Sequence, residues 1–368
     1  MSEPEIIAAL RLQAIPNIGD ITAKKLIAHC GSPSAIFKDK LHHLIKIGGI
    51  GQITLKGLYD SAYLEEAEAE YEYIQNKNIT LSYFEDQDYP AFLKHCVDGP
   101  ILLFTRGKIN LETKKIISVV GTRNITSYGR GFCEDFIDQI APLDPIIVSG
   151  FAYGVDITIQ KLAMNKGLQT IGCLAHGLNQ TYPKAHKKYV SKIEGNGGFL
   201  TEFWSTSNPD RENFLKRNRI IAGLSKATIV VESAEKGGSL VTADLANGYN
   251  RDVFAVPGRT SDTYSKGCND LIKHQKAQML TSAAELIYLL GWELESKKEK
   301  ETIQKQLFPQ LDKTEQSIYS YLQMNGKQLL DTVALECNLP IHKTSSTLFT
   351  LEMKGVVRPL PGKLFEAI

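Results

Sequence analysis

Between residues 115 and 258 the chain carries six short runs in which apolar residues follow one another without polar alternation: KIISVV, PIIVSG, QTIGCLA, GGFLTEF, ATIVVES and DVFAVPG. Such runs suit strands buried on both faces, and the stretches between them have helical length. Strand–helix repetition predicts an α/β core with an open parallel sheet, a Rossmann-like doubly wound fold over residues 81–292. Ligands of such sheets bind beyond the carboxyl ends of the strands.

The flanks follow a helical pattern instead. LQAIPNIGDITAKKLIAHCGSPSAIF reads as helix, tight turn, and a second helix opened by Asp20 or Thr22. LIKIGGIGQITLKGLY repeats the scheme, so residues 1–80 form a helical domain with tandem helix-hairpin-helix-like (SAM-like) motifs. A glycine turn of this kind lets backbone amides at a helix start approach a phosphate. A small helical bundle with glycines at its corners fits equally well, since only Lys46 and Lys56 flank the second turn. Residues 293–309 are charged and aperiodic, which marks a linker. Beyond it, residues 310–368 predict three short helices and a strand pair around Pro361-Gly362, the order of a winged helix. Its cations are His342, Lys343 and Lys354, few for a helix that reads DNA, so a protein-contact role is at least as well supported.

Composition narrows the class. With 368 residues, 43% hydrophobic and 23% charged, the chain has the balance of a globular protein with a sizeable core. No apolar run approaches the ~18 residues of a membrane span. The acids near the N-terminus argue against a signal peptide, and the expected location is cytoplasmic. Six scattered cysteines form no C-x-x-C pair, so neither a zinc site nor a disulfide framework is indicated. A net charge of +1 excludes a globally basic protein but leaves room for a local basic groove.

Four loops after strands carry the candidate chemistry. GTRNITSYGRGF places Gly121, Thr122 and Arg123 at the sheet's carboxyl edge, where an arginine can fork onto a phosphate. GFAYGVD brackets a tight turn with Gly150 and Gly154 and offers Asp156 as a cap. HGLNQTYPKAHKKYV gathers His176, Lys184, His186, Lys187 and Lys188 around Tyr182. NFLKRNRIIAGLS sets Lys216, Arg217 and Arg219 beside Phe214 and Asn218, and leads to Lys236, Gly237, Gly238 and Ser239 at a new helix start. Glycines followed by a serine there form an anion nest. Cations beside an aromatic are the ingredients of sequence-tolerant single-strand binding. Core packing for Phe214, and salt bridges for Arg217 and Arg219, are the competing roles.

In order, GTRNITSYGRG, VSGFAYGVD, HGLNQTYPKAH, FLKRNRIIAGLS, VVESAEKGGSLVTADLA and FAVPGRTSDTYSKGCNDLI resemble the DprA/Smf family across its whole Rossmann-like core. The helical start and winged-helix end resemble its longer members. The resemblance implies a single-stranded-DNA-binding recombination mediator that protects incoming DNA and helps load RecA during natural transformation. It also implies a homodimer through the core that aligns two basic pockets along one strand. The family's G-[ST]-R element falls on Gly121, Thr122 and Arg123, its F-x-x-R-N-R element on Phe214, Arg217, Asn218 and Arg219, and its [SG]-G-[ST] element on Gly237, Gly238 and Ser239. Where members usually read D-x-x-A-H, this chain ends in Gln160, which puts any role of that histidine in doubt.

An enzyme is the main alternative, because the same fold hosts phosphoribohydrolases and fold alone does not set function. Their P-G-G-x-G-T-x-x-E loop is replaced here by Pro257-Gly258-Arg259-Thr260-Ser261, without a nearby glutamate. Glu202, Glu232 and Asp156 are the acids that could crowd a pocket. No catalytic set, cofactor or metal is expected. A second alternative is a nucleotide-sensing adaptor that uses the core pocket for a mononucleotide and the winged helix for a partner.

Overall fold

A computed structural model describes residues 1–113, 115–292, 311–360 and 363–368. The linker expected over 293–309 and the Pro361-Gly362 turn lie outside the described residues. Chain contacts divide the molecule into two compact units, Met1–Leu294 and Glu295–Ile368.

Among the described residues nine strands build the sheet of the first unit: β1 (Thr80–Tyr83), β2 (Leu102–Gly107), β3 (Ile116–Val120), β4 (Ile146–Ser149), β5 (Thr170–Cys173), β6 (Gly197–Thr201), β7 (Ala227–Val230), β8 (Asp252–Ala255) and β9 (Gln278–Met279). Their spatial order is β1-β2-β6-β5-β4-β3-β7-β8-β9. Every pair from β6 to β9 is parallel. All six predicted runs became strands, and β3 to β7 are buried along their full length, as expected for strands with helices on both faces. The sheet is mixed rather than purely parallel, because β1 and β2 add an antiparallel edge. Connections run one way from β3 to β6 and the other way from β7 to β9, so the order reverses between β3 and β7. That crevice is where a doubly wound sheet binds its ligand.

The N-terminal helices Glu3–Ala14 and Asp20–Cys30 form as the pattern predicts. The second copy of the motif does not. Its first helix is a single turn, Leu41–Leu44, and residues 52–59 are a series of turns. Gly57 holds φ at +87°, which a helix cannot accept, and Ile53 points into solvent. The boundary expected near residue 80 is crossed by a continuous core: Leu10, Leu26 and Ile74 share one cluster with Ile101, Phe104, Phe151 and Phe199. Polar ties reinforce the junction. Buried Glu70 accepts from the Ser205 backbone N–H at 2.8 Å, and Trp204 Nε1 donates to Gln13 at 3.0 Å.

The second unit contains helices Lys313–Asn325, Leu330–Glu336 and Ile341–Met353 with a small antiparallel sheet, ordered β10 (Gln328–Leu329), β12 (Leu364–Ala367), β11 (Val357–Leu360). Three helices and a strand pair reproduce the predicted winged helix around a core of Ile318, Leu322, Val333, Leu348 and Leu351. Asp312 and Glu315 close a capping box at the start of the first helix.

Candidate nucleic-acid interface

At the carboxyl ends of β3 and β7 lies a cavity of about 690 Å³. Gly121 begins one wall. A Cβ there would lie 2.9 Å from the Glu232 carbonyl and closer still to Val155, so only glycine lets the loop leave β3 this tightly. The Thr122 N–H donates to that carbonyl at 2.7 Å, and the Thr122 hydroxyl accepts from the Asn124 N–H at 3.1 Å. Gly154 (φ +77°) packs its backbone against the same loop; a side chain would collide with the Thr122 carbonyl. The Arg123 side chain is thus presented from a fixed backbone. It is exposed, and among the described residues it forms no ion pair.

The opposite wall is the helix Arg211–Leu224, capped by Asp210, whose carboxylate accepts from the Glu212 N–H at 2.7 Å. Phe214 faces the cavity half-buried and belongs to none of the hydrophobic clusters. The Arg123 guanidinium stands 5.2 Å from its ring centre, that of Arg217 5.7 Å, and the Tyr182 ring 5.8 Å. Core packing is therefore not what holds Phe214. The third element is the start of helix Gly238–Gly248, which no side chain caps. Space above Gly238 is open, while Gly237 is pressed against the Ser233 hydroxyl. Ser239 is buried and donates to Ser233 at 2.9 Å, and Asn218 reaches the Gly238 carbonyl at 3.4 Å. An uncapped helix start with open backbone is a ready anion site.

Of the predicted site residues, Gly121, Thr122, Arg123, Phe214, Arg217, Asn218, Gly237, Gly238 and Ser239 line the cavity, and Lys216, Arg219 and Lys236 do not. Arg219 is buried on the other side of its helix, bonded to Glu202 and, at 2.9 Å, to Asp20. Lys216 pairs with the same Glu202 at 3.2 Å and borders a different hollow. Lys236 is exposed next to the loop. The reason is helical geometry: neighbours along a helix diverge by about 100°, so a cluster in sequence is split between faces. Arg217 lines the cavity but is buried, with one nitrogen donating to the carbonyls of Gly150 (2.8 Å) and Cys173. It ties the ends of β4 and β5 together and underlies Phe214.

Arg211, which lies outside the sequence motifs, also lines the cavity, with Asn124 and Tyr182. Its spacing was the available signal, since positions 211, 214, 215 and 218 share one helical face.

The three acids considered for catalysis all have partners. Glu232 accepts from the Thr126 N–H at 2.9 Å and from the Thr126 hydroxyl, which orders the start of helix Ser127–Ile140. Asp156 accepts from the Gly150 and Ala152 amides at 3.1 and 3.3 Å. Burial pushes its carboxyl above the ordinary value, and the Arg217 guanidinium pulls the other way. Burial likewise raises Glu202, against Arg219 and Lys216. Gln160, at the place of the family histidine, is buried outside the cavity and donates to the Ile171 carbonyl at 3.3 Å. Among the described residues no group of three or more His, Cys, Asp or Glu side chains is placed to hold a metal ion, and no helix is long and apolar enough to cross a membrane.

A family model for DNA recombination-mediator protein A matches residues 80–291, and one for the DprA winged helix domain matches residues 304–363. Protein Smf of Synechocystis is 30% identical over 302 residues, covering 79% of this chain and 74% of its own. The crystal structure of DNA processing protein A from Streptococcus pneumoniae superimposes with a TM-score of 0.64 at 29% identity, covering 78% of this chain and 98% of that one. DNA processing protein A from Helicobacter pylori, solved to describe its single-stranded DNA binding mode, aligns at 29% identity and a TM-score of 0.52 over 58% of this chain and 95% of its own. With one family model spanning more than half of the sequence and a second on its C-terminal unit, this chain belongs to the DNA recombination-mediator protein A family.

Proposed function

We propose that this protein binds single-stranded DNA in the cavity between β3 and β7 and acts as a recombination mediator in natural transformation. In this reading it protects incoming strands in the cytoplasm, works as a homodimer through the Rossmann-like core and helps load the RecA recombinase. It performs no catalysis. One observation carries the reading: an aromatic ring outside the hydrophobic core, Phe214, is framed by Arg123 and Arg217 and faces the open start of helix Gly238–Gly248. A base stacks on the ring, a phosphate meets Arg123, and backbone amides around Gly238 supply neutral donors. None of these contacts reads a base edge, so binding is expected to tolerate any sequence and to need unpaired, splayed bases. The partnered state of Glu232, Asp156 and Glu202 supports binding over glycosidic cleavage.

The cavity's size also suits a single nucleotide, which keeps a mononucleotide pocket as the second reading. Fluorescence titration with a labelled oligothymidine at several salt concentrations separates the two, with matched duplex and mononucleotide as competitors. The mediator reading expects steep salt dependence and poor competition from both. Saturable binding of the mononucleotide alone, insensitive to salt, would overturn it.

A further inference from the structure

A second cleft, of about 870 Å³, adjoins the cavity and shares Arg123 and Asn124 with it. Arg130 projects from the first turn of helix Ser127–Ile140, Lys161 from helix Val155–Asn165, and Lys188 from the 3-10 turn Lys184–Tyr189. Among the described residues no carboxylate lines this cleft. All three cations are exposed, and among the described residues none is ion-paired. Elsewhere on this surface lysines are met by acids: Lys166 by Asp138 at 2.8 Å, Lys266 by Glu235 at 2.7 Å, Lys276 by Asp244 at 2.9 Å. In a chain of net charge +1, four neighbouring cations with no acid among them repel one another in the free protein and suit an extended anion.

Aromatic surface accompanies the charge. Tyr153 is 48% exposed at the cleft, and Lys161 and Lys188 lie 5.8 and 5.2 Å from the Tyr189 ring. His186 is not one of the charges. It is buried, bonded to the Phe151 carbonyl at 3.0 Å, and kept below its ordinary pKa by burial, so at neutral pH it only supports Tyr153 and Tyr189.

We propose that this cleft is a second subsite for the same nucleic-acid strand: the chain leaving the cavity turns past Arg123 and lays its next phosphates on Arg130, Lys161 and Lys188, with Tyr153 offered to a base. The proposal rests on the binding role of the first cavity, and its test separates the two. Wild type, Arg123→Ala and the triple variant Arg130→Ala/Lys161→Ala/Lys188→Ala are titrated with oligothymidines of about six and about twenty nucleotides, lengths that bracket a single site.

The triple variant is expected to hold the short oligomer as wild type does. It is expected to lose roughly tenfold or more in affinity for the long one, with a salt slope flatter by about 2. Arg123→Ala weakens both lengths. Unchanged binding of the long oligomer by the triple variant would overturn the second subsite and leave the cavity reading intact. Equal losses at both lengths would also overturn it, showing diffuse attraction instead of a subsite. If wild type binds neither oligomer, the cavity reading fails and the subsite with it. Should the triple variant lose its folded far-ultraviolet spectrum, Lys161→Glu on the exposed helix face reads the same length difference.

Discussion

Arg217 and Arg219 stand two positions apart on one helix and do opposite work. Arg217 borders an open cavity, its guanidinium beneath Phe214 and anchored to two strand-end carbonyls. Arg219 is sealed between Glu202, just beyond the end of β6, and Asp20 of the N-terminal helices. The same side chain, in the same motif, lines an open cavity in one case and in the other fastens a helical segment beside the sheet. A cation cluster in sequence is thus no measure of the cations a ligand meets; the helical face divides it.

The largest effect should come from the sealed side. Arg219→Ala removes the cation shared by Glu202 and Asp20 and leaves buried Glu202 with Lys216 alone, and it is expected to cost about 3 kcal/mol of stability. Urea unfolding measures this, while the folded fraction should bind oligothymidine as before. A loss of affinity at unchanged stability would reverse the roles assigned to the two arginines. On the open side, Phe214→Ala is expected to remove roughly 1–3 kcal/mol of binding energy by titration. Its melting temperature should stay near wild type, because no core cluster contains the ring; an unfolded variant would place Phe214 in the core after all.

Arg123→Ala sharpens the same contrast. Binding to all sequences should weaken alike, with a salt slope flatter by about 0.7, the share of one phosphate contact on a single strand. A loss confined to particular sequences would contradict backbone recognition. A pH effect follows from His186, whose folded-state pKa lies below its ordinary value of 6.5 because of burial. Well above pH 6.5 both folded and unfolded imidazoles are neutral and the group is silent. As pH falls below 6.5 the unfolded chain takes the proton first, so stability declines until the folded pKa is reached. Urea midpoints taken down an acid series should show this decline, reduced in His186→Asn. Smallest is Lys236→Ala, expected to shift stability by less than about 0.5 kcal/mol and to leave affinity nearly unchanged, since the residue is exposed outside the cavity lining.

Much of the architecture was legible from local pattern. Six uninterrupted apolar runs became six buried strands, and the glycine loops after β3 and β7 fell at the crevice where the strand order reverses. The antiparallel edge was not legible, because β1 (TLSY) has no apolar run, the buried run over residues 101–104 at β2 does not by itself reveal an antiparallel partner, and β9 has only two residues. The second helical repeat does not form, although LIKIGGIGQITLKGLY keeps helix-like apolar spacing, and Gly57 takes a backbone conformation that ends any helix. Arg211 was not legible, because it stands at the start of its helix, five residues before the cation cluster that begins at Lys216.

Sequence alone determined what is local: which runs are strands, which loops need glycine to turn, and which ordered motifs place the chain near a family. Tertiary structure decided which side chains share a surface. Residues distant in sequence, such as Asp20, Glu202 and Arg219, or Arg130, Lys161 and Lys188, meet only after the sheet order and helix rotations are set. Burial then settles their roles. A charge shut away from water must be paired by its own protein, whereas one left in water beside an open cavity is free to meet a ligand.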